Sequence, residues 1–200
     1  MRLAPGAVRG NRGGMEGAIV FASLIVGVAI TDQLSSLHRL LKRHREVRWD
    51  ALCLLVAFLI LLTIVMIWWS IAGSEAESMT IGSFLPILFV LIFQFLLAAA
   101  SLPDGDDPDR LDLKAYYDRK SPYIWTLYVL SSLLANGDSI VRAMMDGTDV
   151  GTLVRYYAID FFVITVLMGS LVFVRRRWWH WVVIAVLMVG PINWLSKSLG

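Results

Sequence analysis

The 200-residue chain is short of cysteine, of charge and of every short motif that would announce a reaction. Cys53 is the only cysteine, so an intrachain disulfide is impossible and nothing marks an oxidising compartment. Charged residues make up 17% of the chain, against about a quarter in average proteins, which is too little to coat a water-facing surface. No HExxH helix, GxSxG elbow or glycine-rich phosphate loop occurs. His38, His44 and His180 all fall near one predicted membrane edge, which argues against paired haem ligands across a bilayer. No hydrophobic segment holds an interior lysine for retinal, and no arginine ladder marks a voltage sensor. The formal charge of +2 is small, and the basic residues gather at segment ends instead of interleaving with aromatics, so a nucleic-acid surface is excluded.

What is present is apolar length. The stretch ALCLLVAFLILLTIVMIWW, residues 51–69, carries one hydroxyl, Thr63, and no charge. A run of roughly 20 such residues, rising about 1.5 Å each, spans the hydrocarbon core of a bilayer. Trp49 on one side and Trp68 and Trp69 on the other stand where indole rings settle at the two membrane boundaries. The whole chain is 58% hydrophobic, with mean hydropathy +0.67.

Six hydrophobic segments follow one another at about 17–37, 51–73, 81–102, 123–145, 152–174 and 178–195. They predict an all-α fold: a polytopic transmembrane helix bundle of six spans with short loops, occupying residues 17–200 behind a Gly- and Arg-rich disordered tail over 1–16. Met15 as the start of translation would remove most of that tail. A cleaved signal peptide is not expected, because the first apolar run continues through SSLHRLLKRH without a small-x-small site.

Lysine and arginine set the expected orientation. Arg39, Lys42, Arg43, Arg45 and Arg48 fall in the first loop. Arg110, Lys114, Arg119 and Lys120 fall in the third, and Arg175, Arg176 and Arg177 in the fifth. These three loops are expected on the cytoplasmic side, with both termini outside, against the weaker contrary pull of Arg2, Arg9 and Arg12.

The third loop is the longest. Pro103, Asp104 and Gly105 signal a turn, and Asp107 with Pro108 fits a helix start. Leu113, Tyr116 and Tyr117 then give a short apolar face, so one amphipathic helix lying in the interface is predicted there. Its acids, Asp104, Asp106, Asp107, Asp109 and Asp112, superficially resemble magnesium-holding aspartate clusters. Their spacing matches neither those motifs nor an EF-hand, so a solvated loop is the reading and no metal or cofactor is expected.

Polar residues inside the spans are the informative ones, since each costs roughly 2.5 to 3.5 kcal/mol at the bilayer centre and tends to face protein or water. On the fourth segment Tyr128, Ser131, Ser132, Ala135, Asp138, Ser139 and Arg142 form one stripe, with Asp138 and Arg142 spaced as an i,i+4 pair. Asp160, two turns into the fifth segment, needs a cation or a proton, and Arg142 or Arg155 could supply the charge. A structural ion pair and an ion- or proton-handling site both fit that pattern. On the first segment Asp32 could meet Gln94 of the third, either as a relay or as an ordinary helix-end acid. Beside it Ser23, Gly27, Thr31 and Ser35 make a small-residue seam suited to helix packing. Three spans per half, each half with one proline in its last helix, Pro86 and Pro191, also fits a loose inverted repeat.

The stretch LDLKAYYDRKSPYIWTL after an acidic turn, with the basic loop LHRLLKRHREVRWD, resembles uncharacterised bacterial multi-pass membrane proteins of about this length. The resemblance implies a bacterial inner membrane and brings no assigned activity. The leading expectation is a channel or transporter for a small ion or proton, working as a homo-oligomer in the lipid bilayer through Asp32, Gln94, Asp138, Arg142, Arg155 and Asp160. The alternative is a scaffold whose loop 103–122 recruits a soluble cytoplasmic partner. An intramembrane enzyme comes third.

Overall fold

The computed structural model describes residues 7–73, 81–104, 111–145, 147, 149, 151 and 159–196, and for some of the helical residues, 7–16, 142 and 159–161 among them, the backbone alone. These residues form helices joined by short connections, with one isolated β-bridge and no other strand pairing among them. The helices are α1 (Ala7–Lys42), α2 (Ala51–Ala72), α3 (Ile81–Ser101), α4 (Leu113–Met145), α5 (Ile159–Phe173) and α6 (Arg177–Ser196). Five of them, all but α5, are long and apolar enough to cross a membrane. The protein is a multi-pass integral membrane protein.

α2 shows why the sequence folds this way locally. Asp50, in extended backbone, accepts a hydrogen bond from the Cys53 amide (3.1 Å) and so caps the first turn. The uniformly apolar run then satisfies all its backbone bonds internally, which lipid demands. Gly73 closes it by donating to the Trp69 carbonyl (2.9 Å). The helix has no polar face, so its neighbours decide which side is buried. α1, α3 and α6 pack around it, α3 also packs on α1 and α4, and α5 lies between α4 and α6.

Two expected boundaries differ from the helix limits among the described residues. α1 is helical from Ala7, where the disordered tail was expected to reach residue 16. Extending an established helix costs far less than nucleating one, so a Gly- and Arg-rich stretch can continue the apolar run behind it. The separate interfacial helix of the third loop is absent among the described residues, for Leu113 to Ser121 are the first turns of α4 itself. The expected cap at Asp107 lies outside the described residues. Asp112 caps instead, accepting from the Ala115 amide at 2.9 Å. The helix runs through Pro122 because a proline removes one backbone donor only, and the turns around it are anchored by buried Tyr117, Ser121, Ile124 and Trp125.

All the helix ends at one pole meet each other. Arg48 and Leu111–Leu113 form the parallel bridge, with the Arg48 amide donating to the Leu111 carbonyl (2.9 Å) and the Leu113 amide to the Arg48 carbonyl (3.1 Å). Arg39 pairs with Asp104 (2.9 Å) and Arg177 with Asp50 and Asp118. The three basic loops therefore share one end of the bundle. Exposed Trp49 and Trp178 lie there, while Trp69 and Trp194 meet edge to face (6.4 Å between centroids) at the other.

The core is not spread evenly between the poles. On α2 the buried residues run from Leu52 to Ile64 and none follows among those described. On α3 they begin at Val90, and on α4 they stop at Ser131. α1 and Pro191 of α6 carry burial farther. The half of the bundle beside the basic loops is closed, and the other half opens into a crevice between α2, α3 and α4.

Candidate functional site

The closed half is locked by one arginine. Arg177, the first residue of α6, donates through Nη2 to Asp50 Oδ1 (2.5 Å) and through Nη1 to Asp118 Oδ1 (3.0 Å). Asp50 already caps α2 with its other oxygen, so a single carboxylate ties α2 to α6 and the guanidinium extends the tie to α4. Pairing at two oxygens offsets the cost of drawing these charges partly out of water.

Beside this triad runs a directional chain of hydrogen bonds. The Trp125 indole donates to Tyr117 Oη (3.0 Å). His180 Nε2 meets the Val174 carbonyl (2.8 Å), which can only accept, so that nitrogen carries hydrogen and a neutral ring presents Nδ1 as an acceptor to the Tyr117 hydroxyl (2.7 Å). Tyr117, Asp118, Ser121, Arg175, Arg177 and His180 surround a cavity of about 240 Å³ at this pole.

Deeper in the bundle the polar face of α4 continues. Tyr128 stacks on Trp125 and shares a hydrogen bond with Thr63 of α2. One turn on, Ser131 accepts from Gln94 Nε2 of α3 (3.1 Å), and both residues are buried. Gln94 Oε1 is buried without a hydrogen-bond partner, an acceptor left over where buried acceptors are normally met. Two turns farther, roughly 10 Å along the helix axis, Asp138 lines the crevice of about 160 Å³ with Ser70, Ile67, Pro86 and Val90.

The predicted residues are only partly brought together. Gln94, expected opposite Asp32, bonds Ser131, and it is Gln33, not Asp32, that turns inward to donate to the Ala57 carbonyl (2.7 Å). Asp32 itself is half-buried. Arg155 and the side chains of Arg142 and Asp160 lie outside the described residues. The seam on α1 meets its neighbours in part: Ser23 accepts from the Trp68 indole of α2 (3.1 Å) and Ser35 is half-buried. The buried positions are Ala22, Val26, Ala29, Gln33, Ser36 and Leu40, whereas Gly27 and Thr31 are exposed and a Cβ on Gly27 would meet nothing within 4 Å. Ser139 is likewise exposed, satisfied by its own helix through the Ala135 carbonyl (3.0 Å).

Asp50, Tyr117, Asp118, Arg177 and His180 were missed in the sequence. A signal existed: Asp50 and Asp118 are acids set among arginines and lysines at segment ends, where a carboxylate has cations within reach. The acids at the loop ends are paired, Asp104 with Arg39 and Asp112 with Arg48 (3.2 Å). No family of known proteins matches the chain, and neither a curated protein nor a solved structure matches it.

Proposed function

We propose that the protein conducts a small cation or proton through the α4 face of the bundle, entering by the crevice at Asp138 and meeting Gln94 and Ser131 at its floor. The observation that carries this reading is the unpartnered Gln94 oxygen, buried beside Ser131 below a crevice whose wall holds a carboxylate. A bare carbonyl-type oxygen and a hydroxyl are ligands for a hard cation, and equally for a water that hands on a proton. In this reading the crevice is one half of an alternating pathway, and the Tyr128–Thr63 bond and the Trp125 stack close the other half.

The rest of the membrane reading is part of the same proposal, supported by where the helix ends lie. α4 starts at the basic pole and is 33 residues long, so its far end lies roughly 50 Å away, and Val174 is back beside His180 at the basic pole. α5, whose last turn leads to Val174, is taken as the sixth span. With the basic pole cytoplasmic, both termini lie outside and the crevice faces outward in a bacterial inner membrane. The exposed Gly27–Thr31 seam is then the surface for a second copy. The scaffold reading is weaker, because the apolar residues of its loop, Leu111, Leu113, Tyr116 and Tyr117, are spent on the bundle's own core.

The test is flux in proteoliposomes under an imposed pH, sodium or potassium gradient, with Gln94→Leu and Asp138→Asn variants that keep the wild-type elution profile. At least tenfold slower flux in both supports the pathway. Absence of gradient-driven flux through the wild-type protein, or unchanged flux in both variants, overturns it.

A further inference from the structure

The cavity at the basic pole is separate from the Asp138 crevice, and the order of its lining is distinctive. On α4 Asp118 lines its outer part and Pro122, one turn deeper into the bundle, its inner part. On the strand of chain leaving α5, Arg175 lies outside and Leu171 one turn deeper. Both walls therefore pass from charged to apolar over about 6 Å in the same direction, from the pole toward the membrane interior. The neighbouring Trp178 indole is 59% exposed, as a ring at the headgroup level would be.

The charges on the rim are of both signs and are not consumed alike. Arg177 is held between Asp50 and Asp118, and it engages one oxygen of Asp118, Oδ1. Arg175 is exposed at the cavity and forms no ion pair with any described residue. Tyr117 and His180 are bonded to each other and form wall rather than ligands. A guest thus finds a guanidinium on one side and a carboxylate oxygen on the other, above an apolar step. A simple anion would be repelled by Asp118, and a simple cation by Arg175.

The geometry points to a binding site for the headgroup of a zwitterionic phospholipid, its phosphate on Arg175, its primary ammonium on Asp118 and its glycerol region against Leu171 and Pro122. The same phosphate-and-ammonium chemistry exists free in water as phosphoethanolamine, and the apolar step is what favours the lipid.

Binding is measured on the full-length protein in detergent, by calorimetric titration with dihexanoyl phosphatidylethanolamine, dihexanoyl phosphatidylglycerol and chain-free phosphoethanolamine. The expected result is tightest binding of the ethanolamine lipid, by about tenfold over each of the others, the size of one charge-assisted hydrogen bond. Arg175→Gln, an exposed change outside the ion-pair triad, weakens both lipids by about tenfold. Asp118→Asn brings the ethanolamine lipid to the level of the glycerol lipid, and Asp118→Glu restores the preference. Equal binding of the two lipids to the wild-type protein, or an Arg175→Gln variant that binds as before, overturns the proposal. Phosphoethanolamine binding as tightly as its lipid overturns the lipid assignment.

Discussion

At the basic pole Arg177 is shared by two carboxylates and the first and third loops exchange backbone hydrogen bonds; toward the other pole two polar side chains of α4 bond their own helix. Asn136 donates to the Ser132 carbonyl (2.8 Å) and Ser139 to that of Ala135. The first kind of bond joins helices, and the second leaves them free to separate. In lipid this difference carries more weight than in water, because acyl chains solvate leucine as well as protein does and only packing and interhelical bonds hold a bundle together. One half is built to stay shut, and the other can widen around Asp138 without breaking a bond between helices that Asn136 or Ser139 makes.

The contrast places the largest loss of stability at the ion-pair triad. Arg177→Ala strips partners from both Asp50, whose side chain is only 14% exposed, and Asp118. It is expected to cost about 2 to 3 kcal/mol, below the full price of breaking a buried pair because Arg177 keeps some contact with water. Ser139→Ala in the open half removes a bond within a single helix and is expected to stay within about 1 kcal/mol. Thermal unfolding of both variants in one detergent checks the ranking, and equal losses would dissolve the distinction between the halves.

Packing on a single helix sharpens it next. Leu97 of α3 is fully buried in the closed half, and Leu85 on the same helix is 48% exposed. Leu97→Ala leaves a cavity and is expected to cost about 2 kcal/mol, at the low end for core leucines because lipid replaces water as the alternative solvent. Leu85→Ala removes contact mainly with lipid and is expected to cost under about 0.5 kcal/mol.

Gln94→Leu probes the border between the halves and has a smaller expected effect on stability. It removes the Ser131 bond and the unpartnered oxygen together, and Ser131 can turn its hydroxyl to a backbone carbonyl of its own helix. With Ser131 satisfied on its own helix, replacing the half-satisfied Gln94 amide by an apolar group of similar size is expected to change stability by less than about 1 kcal/mol. Unfolding measured beside the flux assay separates this from a folding defect: slower flux with unchanged stability is the expected pair of results.

How much of this could be read in the chain varies with the range of the interaction. The apolar runs gave α2 and α3 nearly to the residue, 51–73 and 81–102 against Ala51–Ala72 and Ile81–Ser101, because a membrane helix is dictated by its own composition. The gathering of basic loops at one end was legible for the same reason. Facing was not. Ser139 sits on the polar stripe of α4 by spacing, yet serine can satisfy itself on the carbonyl one turn back, so polarity did not force it inward. The triad was hidden because Arg177 and Asp50 stand 127 residues apart and each has a sufficient local explanation, a topology signal for one and a helix cap for the other.

The smallest expected effect concerns the stitch between the first and third loops. The Ala115 amide, with Arg48 beside it, holds the Asp112 carboxyl below its ordinary range. A carboxyl with a depressed folded value binds its proton more readily when unfolded, so its contribution is complete above about pH 4 and is lost as acid carries the pH down through the folded value. Between pH 5 and 8 this group therefore contributes no slope. Asp112→Asn keeps a side-chain oxygen for the cap and removes only the charge, so it isolates that contribution. The variant is expected to melt slightly below the wild-type protein at pH 7, and the gap is expected to shrink as the pH falls below about 4. A gap that persists in acid would place the stabilisation in the cap and the backbone bridge, and would make the closed half less electrostatic than its ion pairs suggest.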